Sequence, residues 1–187
     1  RLRLTWDWKV RALNGPLEHT IRIENMGEKE LWIPLQDSFR FDLRISRDRK
    51  LNVMYVEKGA DTPSAVGTHD VAVPQGFSWE GKSSTYAHPR QSRPREMIPW
   101  FAVGDESERA GWYVGIEFSG RTRLWLHREG ESLKGEVGLN PDLGAFWSRL
   151  PARATFETPT VFVGAFQGDF DAAGNVLRRW VKEVLGF

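Results

Sequence analysis

The chain has 187 residues, enough for one domain with a substantial core, because a β-sandwich can reach roughly 200–250 residues before it divides. Its 26 lysines and arginines balance 25 aspartates and glutamates, so the net charge of +1 supplies no field for nucleic acid or an anionic membrane, and neither is an expected partner. The absence of cysteine excludes disulfides and thiolate catalysis, and it removes the usual clue to the cellular compartment, which stays unknown.

Apolar and polar residues alternate through much of the chain, which is the pattern of half-buried strands. The first segment, residues 5–11, places Trp6, Trp8 and Val10 on one face, and we expect both tryptophans to lie in the core. Residues 39–45 repeat the pattern with four apolar side chains inward, namely Phe39, Phe41, Leu43 and Ile45. Shorter strands are predicted at residues 20–23, 31–35 and 51–56.

Residues 59–99 differ, because they are rich in Pro, Gly, Ser and Thr and hold only brief strand candidates at residues 70–73 and 77–80. Loops of such length are uncommon inside a compact domain and often carry function. This stretch is therefore the first place to look for a binding site.

Three strands after Gly111, at residues 112–118, 121–127 and 132–139, predict an antiparallel meander with hairpin loops at residues 119–120 and 129–131. Trp125 lies between two inward leucines and should point away from the core. The residues expected to point inward are Val114, Ile116, Leu124 and Leu126.

The spacing of the apolar residues changes near the C-terminus. Residues 160–166 form a short apolar strand, and residues 171–185 space their apolar side chains as a helix does. Asp169 or Asp171 suits the N-cap of this helix, and Gly186 suits its C-cap. The fold class predicted from the residues is mainly β, an antiparallel sandwich with one C-terminal helix.

Three stretches of the sequence together resemble the N-terminal domain of glycoside hydrolase family 36, the α-galactosidase-like enzymes. They are residues 81–101, residues 111–120 with the sequence GWYVGIEFSG, and residues 157–169 leading into the final helix. The resemblance implies an antiparallel β-supersandwich of the galactose-mutarotase-like type over residues 1–168. It also implies a linker helix over residues 169–187 that leads toward a catalytic (β/α)8 barrel.

The resemblance further implies that this chain is not itself an enzyme, because the paired catalytic aspartates of the family lie on barrel strands that the chain does not contain. Physical size agrees, since such a barrel needs roughly 250 residues of alternating strand and helix. The chain begins at Arg1 rather than Met, so we expect it to be part of a longer polypeptide. The expected partners are the catalytic barrel, a galactoside-like carbohydrate and a further copy of the protein.

The candidate site lies in and beside the segment 84–96, which concentrates hydrogen-bonding groups around an aromatic ring, the combination that recognises sugars. Its arginines have two alternative roles, in ion pairs across an interface or in solvating the loop. Trp79 and Trp100 flank the segment as stacking candidates, with burial in the core as the alternative. The carbohydrate-binding candidates are Trp79, Tyr86, His88, Arg90, Arg93, Arg95, Glu96 and Trp100.

No catalytic residue, metal site or cofactor is predicted. The four histidines lack metal-ligand spacing, and acidic pairs such as Asp105 with Glu106 lie in turn-like surroundings where carboxylates stay ionised. The leading hypothesis is a non-catalytic domain that packs on a glycosidase barrel and helps to shape its carbohydrate site or an oligomer interface. The alternative is a free-standing carbohydrate-binding or protein-interaction β-sandwich, which would expose a row of aromatic rings or a large apolar patch.

Overall fold

The computed structural model describes residues 1–10, 15–34, 37–57, 67–83, 97–141 and 147–186. Fourteen strands and one helix lie in this part of the chain. The strands are β1 (Leu2–Val10), β2 (Leu17–Asn25), β3 (Leu31–Pro34), β4 (Asp37–Arg44), β5 (Leu51–Glu57), β6 (Gly67–Ala72), β7 (Ser78–Lys82), β8 (Met97–Asp105), β9 (Ala110–Glu117), β10 (Thr122–Glu129), β11 (Ser132–Leu139), β12 (Trp147–Leu150), β13 (Thr155–Glu157) and β14 (Thr160–Gln167). The helix is α1 (Phe170–Trp180), which a π-helical turn over Val181–Leu185 extends.

The strands form three antiparallel sheets. The long sheet has eight strands in the order β1-β2-β14-β9-β8-β5-β6, with β13 also paired to β2. The short sheet has the order β4-β11-β10-β7, and a two-stranded ribbon joins β12 to β3. The predicted fold class, an antiparallel sandwich with one C-terminal helix, is therefore confirmed.

The main core fills the space between the long and short sheets. The side chains expected to point inward from β9 and β10 do so and are almost fully buried, and Trp125 lies on the opposite face of β10, stacked on His127. Each fully buried aliphatic side chain stabilises the fold by about 1.5–3 kcal/mol. Buried members of this core include Val53, Phe101, Val114, Ile116, Leu124, Leu126 and Leu133.

The predicted meander after Gly111 is only half correct. β10 and β11 form the expected hairpin, with Gly130 in the left-handed region at φ 58°, but β9 belongs to the long sheet and pairs with β8 and β14. Residues 118–121 therefore cross between the two sheets instead of closing a hairpin. Alternation tells which side chains of a strand face the core, but it does not tell which sheet the strand joins.

Strand β8 begins inside the predicted long loop and escapes the alternation pattern because its two faces are both buried. Phe101 and Val103 pack in the core between the sheets, whereas Trp100 and Ala102 face the other side of the long sheet, under the helix. A strand covered on both sides has a continuous apolar sequence without alternation.

Helix α1 begins where the sequence predicts, and the π-helical turn that extends it ends at the predicted Gly186. The Asp169 carboxylate accepts a hydrogen bond from the Ala172 N–H at 3.1 Å, and Gly186 closes the π-helical turn at φ 76°. The helix packs on the outer face of the long sheet, where Ala173 and Trp180 are buried against side chains of β8, β9 and β14. The boundary at residue 168 and the linker role of the helix stay predictions.

The expectation that Trp6 and Trp8 belong to the core is wrong. The long sheet is wider than the short sheet, so β1 lies beyond the edge strand β4, and the two indoles are 58% and 52% exposed. Of the inward-facing residues predicted for β4, Phe39 and Phe41 pack against the core, while Leu43, near the end of that strand, is exposed. Strand β1 does have the apolar side that its alternation predicts, but the short sheet that should cover this side ends at β4.

Candidate functional site

One side of β1, here called the β1 face, is a row of exposed apolar side chains. It consists of alternate residues of the strand, all at least partly open to solvent, namely Leu2, Leu4, Trp6, Trp8 and Val10. β1 is also the edge strand of the long sheet, paired on one side with β2 over its full length. Contiguous apolar surface of this kind marks a binding or interaction site in soluble proteins.

A cleft of about 560 Å³ lies between the β1 face and strand β4. The Trp8 ring stacks on His19 of β2 with centroids 4.3 Å apart and an interplanar angle of 28°, and Phe39 meets Trp8 edge-on at 6.0 Å. The cleft therefore has an aromatic wall. Its lining residues are Trp6, Trp8, His19, Ile21, Asp37, Phe39 and Arg40.

Polar groups stand at the β4 side of this cleft. Arg40 donates to the Asp37 Oδ2 atom at 2.7 Å and pairs with Glu136 of β11 at 3.1 Å. The hydrogen bond to Asp37 raises the pKa of Arg40, so the guanidinium stays charged.

His19 supplies a neutral group to the same cleft. Burial lowers the pKa of His19, and its Nδ1 atom lies 3.2 Å from the Asp7 carbonyl oxygen. Because a carbonyl only accepts hydrogen bonds, Nδ1 carries the proton and the neutral ring keeps Nε2 as an acceptor.

The opposite side of β1 and β2 is polar. Arg22 bridges Asp7 at 3.1 Å and Glu157 at 3.0 Å, and its hydrogen bond to Glu157 raises the pKa of Arg22. These groups line a smaller cleft of about 280 Å³. Because the ion pairs are exposed and satisfied, this side is a solvated surface and contributes little to stability.

The structure separates Trp79 from Trp100. Trp79 is partly buried between the sheets, with its ring 4.9 Å from that of Tyr55 and 5.5 Å from that of Phe101. Trp100 faces the other side of the long sheet, is 8% exposed and stacks on Phe170 with centroids 5.6 Å apart. Both rings therefore have packing roles. The other candidates, Tyr86, His88, Arg90, Arg93, Arg95 and Glu96, lie outside the described residues.

The described carboxyl groups whose pKa values are displaced all move downward. Burial alone would raise the pKa of Asp105, but hydrogen bonds from Ser107 and Arg49 outweigh it and lower that pKa. The pKa values of Asp48 and Glu80 are lowered as well. A general acid needs a raised pKa, so these are structural carboxylates in turns and ion pairs.

The described residues contain no group of three or more His, Asp or Glu side chains that could hold a metal ion. Within the same part of the chain, no helix has the length and apolar character needed to cross a membrane. The β1 face and its cleft are thus the feature that the sequence interpretation missed. The signal that could have found them is the run of five alternate apolar residues in the first ten positions, a pattern that also fits a core strand.

No protein-family model and no curated protein sequence matches this chain. Among solved structures, the α-galactosidase of Lactobacillus brevis is similar over 97% of this chain, with 13% identity and a TM-score of 0.78. The family 36 α-galactosidases AgaA, in complex with stachyose, and AgaB, both from Geobacillus stearothermophilus, match over 94% and 89% at TM-scores of 0.73 and 0.68, with 14% and 17% identity.

These comparisons define a class of fold, the β-sandwich present in family 36 α-galactosidases. The chain spans only 23% of the length of the Lactobacillus and AgaA proteins and 22% of AgaB. The chain has the fold of a β-domain found in those proteins, and the predicted resemblance to family 36 is confirmed at the level of the fold.

Proposed function

We propose that this chain is the non-catalytic β-domain of an α-galactosidase-like glycoside hydrolase, packing on a (β/α)8 barrel of the same polypeptide. The observation that carries the proposal is the asymmetry of coverage, since almost the whole chain aligns with less than a quarter of each α-galactosidase. The three described carboxyl groups with displaced pKa values, Asp48, Glu80 and Asp105, all favour the ionised form, so none of these three has the raised pKa of a general acid.

Within this proposal, the segment 84–96 contacts the catalytic domain and helps to shape the carbohydrate site or an oligomer interface. The residue that follows the segment in the sequence, Met97, begins strand β8 of the long sheet. Three residues later Trp100 stacks on Phe170, the first residue of α1. Trp100 of β8 and the start of the helix thus share one side of the long sheet.

The first test is activity of the 187-residue chain toward a chromogenic α-galactoside, where we expect no turnover. In the complete polypeptide, Arg95→Ala should raise KM or lower kcat about tenfold, the effect of losing one charge-assisted hydrogen bond. Arg44→Ala is the matched control, because Arg44 is an exposed arginine paired with Glu131 on the short sheet. Turnover by the chain alone would contradict the non-catalytic role, and equal kinetics for both variants would remove the segment from the carbohydrate site.

A second candidate function is a free-standing carbohydrate-binding or protein-interaction module. The observation that favours it is the β1 face, a row of aliphatic and aromatic side chains left open to solvent. The two functions require different sequences after residue 187, since only the first needs a catalytic barrel there. A complete reading frame without a barrel-sized region beyond that residue would favour the module.

A further inference from the structure

The cleft beside the β1 face joins aromatic surface to a small number of fixed polar groups. From this combination we infer that it binds a neutral oligosaccharide, through residues other than the candidates of the segment 84–96. Trp6 and Trp8 supply the apolar platform, and the ion pair of Asp37 with Arg40 supplies the polar edge. The inference concerns the chain alone and does not depend on a catalytic partner.

The aromatic wall suits the apolar face of a pyranose ring. Trp6 and Trp8 are two residues apart on one face of a strand, so their Cβ atoms are separated by about 7 Å along β1. Stacking on His19 fixes Trp8, so little side-chain entropy is lost when a ligand packs against the wall. Trp6 and Trp8 retain large exposed areas for such a contact.

The polar edge suits hydroxyl groups. The Asp37–Arg40 ion pair uses the Oδ2 atom of Asp37, so the Oδ1 atom takes no part in it. A carboxylate oxygen accepts hydrogen bonds from sugar hydroxyls, and a guanidinium donates to them. Both groups are held in position by their mutual hydrogen bonds and by Glu136, which gives the orientation that a specific polar contact requires.

The balance of charge excludes the other common ligand classes. Asp37 and Arg40 neutralise each other within the lining, and neutral His19 adds no charge. A phosphate-bearing ligand would need an excess of cations, and an acyl chain would cover the ion pair without forming hydrogen bonds to it. The volume of about 560 Å³ falls within the roughly 300–1,000 Å³ of small-molecule sites.

The test is calorimetric titration of the 187-residue chain with stachyose and with maltotetraose, two neutral tetrasaccharides. Sorbitol is the control ligand, because it carries hydroxyls but has no pyranose face. We expect saturable binding of at least one tetrasaccharide with a Kd of about 1 mM or lower, and none of sorbitol. Trp6→Ala and Trp8→Ala should each weaken binding about tenfold or more, and Asp37→Asn about fivefold.

Trp32→Ala and Trp147→Ala are the matched controls, because these indoles are 56% and 54% exposed on the ribbon and line no part of the cleft. Their affinities should stay within twofold of wild type. Absence of binding by the wild-type chain would overturn the inference, whatever the variants do. So would equal losses in the control variants, or a sedimentation result in which the wild-type chain is a dimer that Trp6→Ala dissociates, because a second copy would then cover the β1 face.

Discussion

Replacing one buried and one exposed tryptophan tests the central feature of this fold, the difference in width between the two sheets. Trp180 ends helix α1, is 3% exposed and packs its ring 5.1 Å from that of Phe162 on the long sheet. Trp6 lies on the β1 face and is 58% exposed. The sequence pattern alone assigns Trp6 to the core. Comparing substitutions of Trp6 and Trp180 therefore tests the exposure seen in the structure against the burial that the pattern predicts.

The expected loss of unfolding free energy in each variant depends on how deeply the replaced tryptophan is buried. Trp180→Ala removes a fully buried indole and leaves a cavity, which costs about 3–5 kcal/mol of unfolding free energy. Trp6→Ala removes a ring that is mostly in water, so the loss should be about 0.5 kcal/mol. Trp180→Phe should cost at most about 1.5 kcal/mol, because it removes an indole N–H that has no hydrogen-bond partner among the described residues while keeping an aromatic ring.

The assay is urea denaturation followed by far-UV circular dichroism, which does not depend on the tryptophan signal that the substitutions remove. The urea dependence of the free energy should be the same in all variants, which shows that the comparison is between like transitions. A loss for Trp6→Ala as large as that for Trp180→Ala would refute the reasoning, because it would place the β1 face in the core of the isolated chain.

Three further predictions concern buried polar groups. Because the folded-state pKa of His19 lies below 6.5, the unfolded chain binds more protons, so stability should fall as the pH drops from about 7 through that lowered value. In thermal unfolding measured over a pH series, His19→Gln should remove this contribution to the pH dependence. Burial raises the pKa of Tyr113 to about 12, so its ultraviolet titration should be delayed relative to an exposed tyrosine, and stability should fall between pH 10 and that value. Arg128→Met should lower the free energy of unfolding by about 3 kcal/mol in urea denaturation, because the buried guanidinium donates to the carbonyl oxygens of Val73, Ser46 and Arg47. A loss below about 1 kcal/mol would contradict this stabilising role.

Local features can be predicted from the sequence wherever neighbouring residues decide them. The alternation of Leu124, Trp125 and Leu126 predicts which side of β10 faces the core, because successive side chains of a strand point in opposite directions. Asp169 and Gly186 mark the ends of the helix, because a carboxylate accepts from exposed N–H groups and glycine tolerates the left-handed region. Beside the candidate loop, the sequence identifies Trp100 as a flanking aromatic, with burial as the alternative to stacking on a sugar, and the structure buries it under the helix.

Sheet membership and coverage were decided by the tertiary structure. The sequence of β9 resembles one arm of a hairpin, but long-range pairing with β8 and β14 places it in the other sheet. The alternation of β1 resembles that of a core strand, yet Trp6 and Trp8 are exposed because β4 is the last strand of the layer above them. Periodicity records that a strand has an apolar side, whereas the number of strands in the opposing sheet determines whether anything in this chain covers it.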